Sequence, residues 1–285
     1  MKSDLLMGKI TYINASPVYY GIDNGMHPDW LTLVPDVPAA LNLKIRNGEI
    51  DISPISAAYY AMNHDQLLIL PDLSISCDGP VLSVICVSRL PLDELTGKKV
   101  MFSNESASGA SFLKMIFSGR GIRPEFSVGS VGQLNRIPED VDAVMVIGDA
   151  ALTQNWEDRY EYRFDLGALW QEMTGLPFVF AVWVVRKTFA EAHPELTAAA
   201  HDLLLASRRE GDTHTADIID AGKERLGLSR DRIREYYHCL SCDLDERKIK
   251  GMAAFFQGLY DQSILKAPAA IRFFEPGKEV GKFIR

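Results

Sequence analysis

The chain has 285 residues, nearly twice a common single-domain length, so two domains on one chain are the expectation. Hydrophobic residues make up 47% and charged residues 24%, which excludes a disordered, collagen-like or miniature disulfide-held protein. Lys and Arg number 30 against 38 Asp and Glu, a net charge of -8 with no basic block, so nucleic acid is not an expected partner.

The opening residues, Met1-Lys2-Ser3-Asp4-Leu5-Leu6-Met7-Gly8, lack the apolar stretch and cleavage site of a secretory leader, so a cytoplasmic protein with reduced cysteines is expected. Residues 9–13 read as a first strand. Ser16-Pro17 then supplies a helix cap followed by Pro at the first helical position, leaving Asn14 at the strand's carboxyl end. Residues 38–45 have helical spacing and stop at Asn47-Gly48; residues 50–52 form a short strand running into Pro54-Ile55-Ser56 and another helix. Segments 67–70 and 81–87 are β-rich, parted by the turn-forming Cys77-Asp78-Gly79-Pro80, and a domain crossing is placed near here.

Residues 99–102 read as a strand, followed by a small polar loop to Gly109 and a helix carrying Phe112, Leu113, Met115 and Ile116. At such a helix start the backbone N–H groups and the hydroxyls of Ser106 and Ser108 suit a carboxylate or phosphate, ordinary capping being the alternative. Residues 141–147 form a buried strand that Gly148-Asp149 turns into a helix, with Asp149 as its cap. The apolar run 176–185 is about half the roughly 20 residues of a membrane span, so it reads as a strand and no membrane partner is expected. From Pro194 to about Gln262 the chain is helical, with Ile249, Met252, Phe256 and Leu259 on one face, and these helices should pack back on the first half.

Alternating strand and helix signals predict an α/β fold with mainly parallel sheets. Polar strand-to-helix junctions at Asn14, Ser53–Ser56, Ser106–Gly109 and Gly148-Asp149 fall two in each half, and ligands bind outside the carboxyl ends of such strands. Two lobes facing one another across a cleft follow, residues 1–88 with 180–285 forming one and 89–179 the other. A small anion suits that cleft, and Ser56, Ser106, Ser108, Gly109 and Asp149 are its candidate binding residues. The tryptophans Trp30, Trp156, Trp170 and Trp183 read as core or cleft wall. The sequence carries no sign of oligomeric state.

The easier chemistries are missing. Cys77, Cys86, Cys239 and Cys242 include a single C-x-x-C, too little for a four-ligand zinc site and too late in a helix-rich stretch for a redox motif. The six histidines are scattered, so no metal is predicted, and no dinucleotide, nucleoside triphosphate or nucleophile-elbow motif is present.

At Ile10-Thr11-Tyr12-Ile13-Asn14-Ala15-Ser16-Pro17-Val18-Tyr19-Tyr20-Gly21 the chain closely resembles the opening motif of the chorismate dehydratases of menaquinone biosynthesis, the first enzymes of the futalosine route. The resemblance continues through Gly48-Glu49-Ile50-Asp51-Ile52-Ser53-Pro54, the stretch from Leu70 to Ser83, Ile147-Gly148-Asp149-Ala150-Ala151-Leu152, and Asp165-Leu166-Gly167 to Thr174-Gly175-Leu176-Pro177-Phe178-Val179-Phe180-Ala181, covering residues 8 to about 185. It implies a two-lobed periplasmic-binding-protein-like fold of type 2 that converts chorismate to 3-[(1-carboxyvinyl)oxy]benzoate by loss of water, with no cofactor. It further implies a substrate-assisted route in which chorismate's own enolpyruvyl carboxylate takes the proton, which agrees with the absence of His from the matched motifs. By the same resemblance Asn14 and Ser83 are the catalytic residues; taken alone, they read as a turn residue and an ordinary strand hydroxyl. The chain departs from many members in carrying Ser108-Gly109 where they have Thr-Ser. Two other readings compete: the related enzyme forming 1,4-dihydroxy-6-naphthoate, which usually has a His in its site, and a carboxylate-binding protein without turnover.

Overall fold

A computed structural model describes residues 5–275. Residues 1–4 of the opening segment and 276–285 of the predicted first lobe lie outside the described residues.

The chain begins with β1 (Leu5–Ile10), α1 (Ser16–Asp23), β2 (Leu31–Asp36), α2 (Pro38–Arg46), β3 (Ile52–Ser56), α3 (Ala57–Asn63) and β4 (Leu67–Cys77). It crosses to β5 (Val84–Ser88), β6 (Lys99–Ser103), α4 (Ala107–Gly119), β7 (Glu125–Gly129), β8 (Ala143–Ile147), α5 (Asp149–Thr153), β9 (Tyr162–Asp165) and α6 (Leu166–Thr174). It then returns through β10 (Phe178–Arg186) to α7 (Lys187–Ala192), α8 (Pro194–Thr213), α9 (Thr215–Leu226), α10 (Arg230–Cys239) and α11 (Glu246–Asp261).

Two five-stranded sheets result, ordered β2-β1-β3-β10-β4 and β7-β6-β8-β5-β9. Within each, four strands run in one direction and the fifth, β10 or β5, runs antiparallel to both of its neighbours. Each antiparallel strand follows a passage of the chain from one sheet to the other: β5 comes after β4 of the first sheet, and β10 after β9 of the second. Residues 84–88, placed in the first lobe by a boundary at 88, pair with β8 and β9 in the second sheet. The crossing is therefore the preceding turn, because an apolar strand carries no local mark of which sheet it will join. The return begins at Phe178, which pairs with Cys77 in the first sheet.

Local signals shift similarly. The first strand starts at Leu5, with Leu5 and Met7 wholly buried, and Ile13–Ala15 forms a 3-10 turn that leads directly into α1. Ala15 thus occupies the cap position expected for Ser16, which lies inside the helix. Gly148, with φ +64°, similarly takes the cap position expected for Asp149.

The lobes are packed together by α4, which contacts α3, α11 and β10. Phe112 of α4, Trp170 of α6, Phe178 of β10 and Phe255 of α11 form a buried aromatic cluster across this junction, with the Phe112 and Phe178 centroids 5.1 Å apart and those of Phe178 and Phe255 4.8 Å apart. α8 packs against α1, as expected of the C-terminal helices. Among the described residues no helix is long and apolar enough to cross a membrane.

Candidate active site

A cavity of about 50 Å³ lies where the carboxyl ends of the strands in the two sheets face each other. Tyr12 and Asn14 reach it from the turn after β1, and Ser56 from the end of β3. Ser106 and Ser108 enter from the start of α4, Gly148 from the end of β8, and Phe180 and Ala181 from β10. Ser83 arrives from the crossing into β5. Five of the seven residues singled out from the sequence therefore share one cavity. Gly109 and Asp149 are not part of its wall.

Asn14 presents a buried side-chain oxygen that has no hydrogen-bond partner. Native interiors pair nearly all such atoms, and this oxygen can accept a hydrogen bond from a molecule in the cavity. Ser83 is 2% exposed, and its Oγ accepts a 3.0 Å hydrogen bond from the Tyr236 hydroxyl on α10. Burial pushes the Tyr236 phenol well above its ordinary value, so it remains a donor at working pH.

The other serines are already engaged. Ser56 Oγ accepts from the Tyr59 N–H (3.2 Å) and caps α3, while Ser106 Oγ accepts from the Gly109 N–H (3.2 Å) and caps α4. Ser108 joins the lobes, donating to the Phe180 carbonyl at 2.8 Å and accepting from the Ala58 N–H at 3.1 Å. Gly109 is where the backbone of α4 meets β8: a Cβ there would lie 2.7 Å from Met145 Sδ and 3.2 Å from Val84 Cγ1. The space a larger residue would need is filled by buried Met145.

Asp149 lies behind the cavity, where its carboxylate accepts from the Ile13 N–H at 3.3 Å and pairs with Arg225 at 3.2 Å. Burial raises its pKa, and the Ile13 and Arg225 contacts oppose that rise. It thereby ties the end of β8 to the turn that carries Asn14.

Two ionisable cavity residues, Tyr12 and Glu105, were not singled out as site residues from sequence. The Tyr12 hydroxyl donates to the Glu105 carboxylate across the cleft, and burial followed by this bond pushes the Tyr12 phenol far up. The Tyr12 ring also fits against Gly148, where a Cβ would lie 2.8 Å from it. Among the described residues Tyr12 and Glu105 are the only ionisable side chains in the cavity wall. An anion here would meet neutral donors and the first turn of α4 rather than a cation, with Glu105 as the one carboxyl group in the wall.

The C-x-x-C pair lies away from this wall. The described cysteines are free, and burial raises Cys239 and pushes the Cys242 thiol up to about 12, so these are thiols rather than reactive thiolates.

Two lobes, each with an antiparallel strand inserted after a crossing and a polar cavity between them, define a periplasmic-binding-protein-like fold. Solved structures agree on the fold. The chain superposes on a protein of Archaeoglobus fulgidus with a TM-score of 0.71 at 18% identity, covering 92% of this chain and 98% of that one. It superposes on the periplasmic aliphatic sulphonate-binding protein SsuA of Escherichia coli with a TM-score of 0.66 at 13% identity, covering 99% and 95%. In sequence it is 28% identical over 269 residues to the chorismate dehydratase of Thermus thermophilus, covering 89% of this chain and 94% of that protein. It is 30% identical over 182 residues to the chorismate dehydratase of Campylobacter jejuni, covering 62% and 66%. The sequence profile of a menaquinone-biosynthesis family matches residues 5–261, and the chain belongs to that family.

Proposed function

We propose that this protein is a chorismate dehydratase acting in menaquinone biosynthesis by the futalosine route, forming 3-[(1-carboxyvinyl)oxy]benzoate and water. One observation carries the reading: Asn14 and Ser83 line one cavity whose only ionisable side chains among the described residues, Tyr12 and Glu105, are bonded to each other. Apart from this bonded pair the wall offers neutral polar groups, with no His, Lys or Cys among the described residues lining it. That suits a reaction in which the substrate's enolpyruvyl carboxylate takes the C3 proton. The C3–H electrons form the new ring double bond as the C4–O bond breaks, and the departing hydroxide leaves as water once protonated. Aromatisation supplies the driving force, so the protein's part is pose and polarity. In this proposal Asn14 hydrogen-bonds a substrate oxygen and Ser83, held by Tyr236, hydrogen-bonds the leaving hydroxyl or a carboxylate. Ser56, Ser106 and Ser108 border the substrate, while Gly109 and Asp149 shape the wall from behind.

The cavity is far below the roughly 300 Å³ of ordinary ligand sites. Admission of chorismate therefore requires the cleft to open wider than it stands in this structure.

The test is to incubate the purified protein with chorismate alone and follow the products by mass spectrometry. Enzyme-dependent appearance of a benzoate ether lighter than chorismate by one water is the expected result. Binding without turnover would overturn the reading in favour of a carboxylate-binding protein.

A further inference from the structure

Resting on that reading of Ser83, the geometry points to Asp165 as a positioning residue that holds Ser83 in its reactive orientation from outside the cavity. Asp165 ends β9, opposite Ile85 in the pairing with β5, and is absent from the cavity wall. Its Oδ1 accepts from the N–H groups of Gly167 (2.9 Å) and Ala168 (3.1 Å), which caps α6. The same carboxylate turns the other way to accept from the Val81 N–H (3.0 Å to Oδ1 and 3.1 Å to Oδ2) and the Leu82 N–H (2.7 Å to Oδ2).

Those last bonds fall on a strained piece of backbone. Leu82 has φ +63°, and the Ser83 N–H closes back on the Val81 carbonyl at 2.7 Å, which makes residues 81–83 a γ-turn of the rare positive-φ kind. A leucine does not adopt that conformation without external support. Asp165 supplies it by collecting the two N–H groups the turn leaves pointing outward, and Arg163, two residues earlier on β9, donates to the Leu82 carbonyl at 3.3 Å. The turn delivers Ser83 with its carbonyl accepting from Gly148 N–H (2.8 Å) and its Oγ accepting from Tyr236. If Leu82 relaxed to negative φ, the Ser83 side chain would swing out of the cavity. The carboxylate is thus shared between a helix cap and a catalytic turn, and only the second use bears on the reaction.

Two single variants weaken the turn while leaving a residue that can cap α6. Asp165→Asn keeps the size and one acceptor oxygen but removes the charge and puts an amide donor in place of the second oxygen, so the cap and the turn can no longer both be served. Asp165→Ser keeps a good cap for α6 but is too short to hold both the Val81 and Leu82 N–H groups. Each is expected to lower kcat by about 10- to 100-fold with KM changed by less than about threefold, the scale of a misplaced reacting group. The decisive variant is Asp165→Asn combined with Leu82→Gly. Glycine adopts positive φ freely, so the turn forms without its carboxylate and kcat recovers at least about fivefold over Asp165→Asn alone. A purely structural role predicts the opposite, since Leu82→Gly also removes packing against Tyr236 and its neighbours. Single variants with kcat within about twofold of the parent, or a double variant no better than Asp165→Asn, would overturn the proposal. If the parent itself leaves chorismate intact, the functional reading falls, while crystal structures of Asp165→Asn and Asp165→Ser still decide this inference: a Leu82 that stays near φ +63° in both refutes it.

Discussion

Asn14→Ala separates a binding group from a structural one by the sign of its effect on stability. The buried Asn14 oxygen forgoes hydration without gaining a partner, a penalty of about 1–3 kcal/mol for such a group. Truncation removes that penalty and sacrifices only the contacts of a small side chain at the edge of an existing cavity, so the net effect on folding lies between zero and about +1 kcal/mol. For a chain of this size that corresponds to a melting temperature unchanged or raised by about 2 °C. Activity moves the other way. Loss of one positioned donor or acceptor at the reacting centre costs about 100- to 1,000-fold in kcat. Thermal unfolding by circular dichroism and chorismate turnover measured on the same preparation check both halves. A variant that loses more than about 1 kcal/mol of stability while keeping kcat within a few-fold would show that Asn14 serves the turn after β1, and the functional reading of its orphaned oxygen would fail.

Other substitutions test the surrounding shell. Tyr236→Phe removes the donor to Ser83 and is expected to lower kcat by about tenfold, with little change in chorismate affinity by calorimetry. Ser108→Ala strands the Ala58 N–H and the Phe180 carbonyl between the lobes and should cost about 1–3 kcal/mol in urea unfolding. Gly109→Ala drives a methyl into Met145 and should cost about 1–3 kcal/mol, relieved when Met145→Ala is added. Burial raises the Asp243 pKa, but bonds from Ser241 and Lys248 overcome it and leave the carboxyl below its ordinary value near 3.8. A carboxyl lowered by folding contributes stability above its unfolded pKa and loses it as pH falls through the folded one. Lys248→Met should therefore cost about 1 kcal/mol at pH 7 after solvent screening and progressively less below pH 4, as read by denaturant unfolding at each pH.

The central strands were legible in the sequence because both of their faces are apolar: β5, β8 and most of β10 are buried along their whole length. The strands that escaped notice, β2, β7 and β9, all lie at sheet edges. β2 contains Pro35 and ends in Asp36, β7 is mostly exposed, and β9 spans four residues, so none carries a two-sided hydrophobic signal. The same limit governs the site. Asn14, Ser56, Ser83, Ser106 and Ser108 stand at strand–helix junctions or in matched motifs and could be named from the chain alone. Glu105 pairs with Tyr12 across 93 residues, Tyr236 with Ser83 across 153, and Asp165 with Leu82 across 83. No local spacing encodes such pairings; the first two exist only between the lobes, and the third only once β9 has paired with β5.

That long-range shell also accounts for how a binding-protein architecture can be turned toward chemistry. A protein that only captures and releases a ligand needs lobes that part widely, whereas here α4 is fixed to the first lobe by Ser108 and by the aromatic contacts of Phe112 with Phe178 and Phe255. The junction resists hinge opening because separating it would expose several buried rings at about 25 cal/mol per Å² of apolar surface. On the other side of the cleft Tyr12 meets Glu105 and Asp149 meets Arg225, and Leu152 of α5 is buried with Ile13, Ile219 and Ile233. Ser83 and the turn that carries it lie between these two sets of contacts, with Asp165 on β9 and Tyr236 on a C-terminal helix. On the proposed dehydratase reading, contacts on both sides of the cleft would hold Asn14 and Ser83 in place, which is what a reaction that depends on pose rather than on a strong protein base needs.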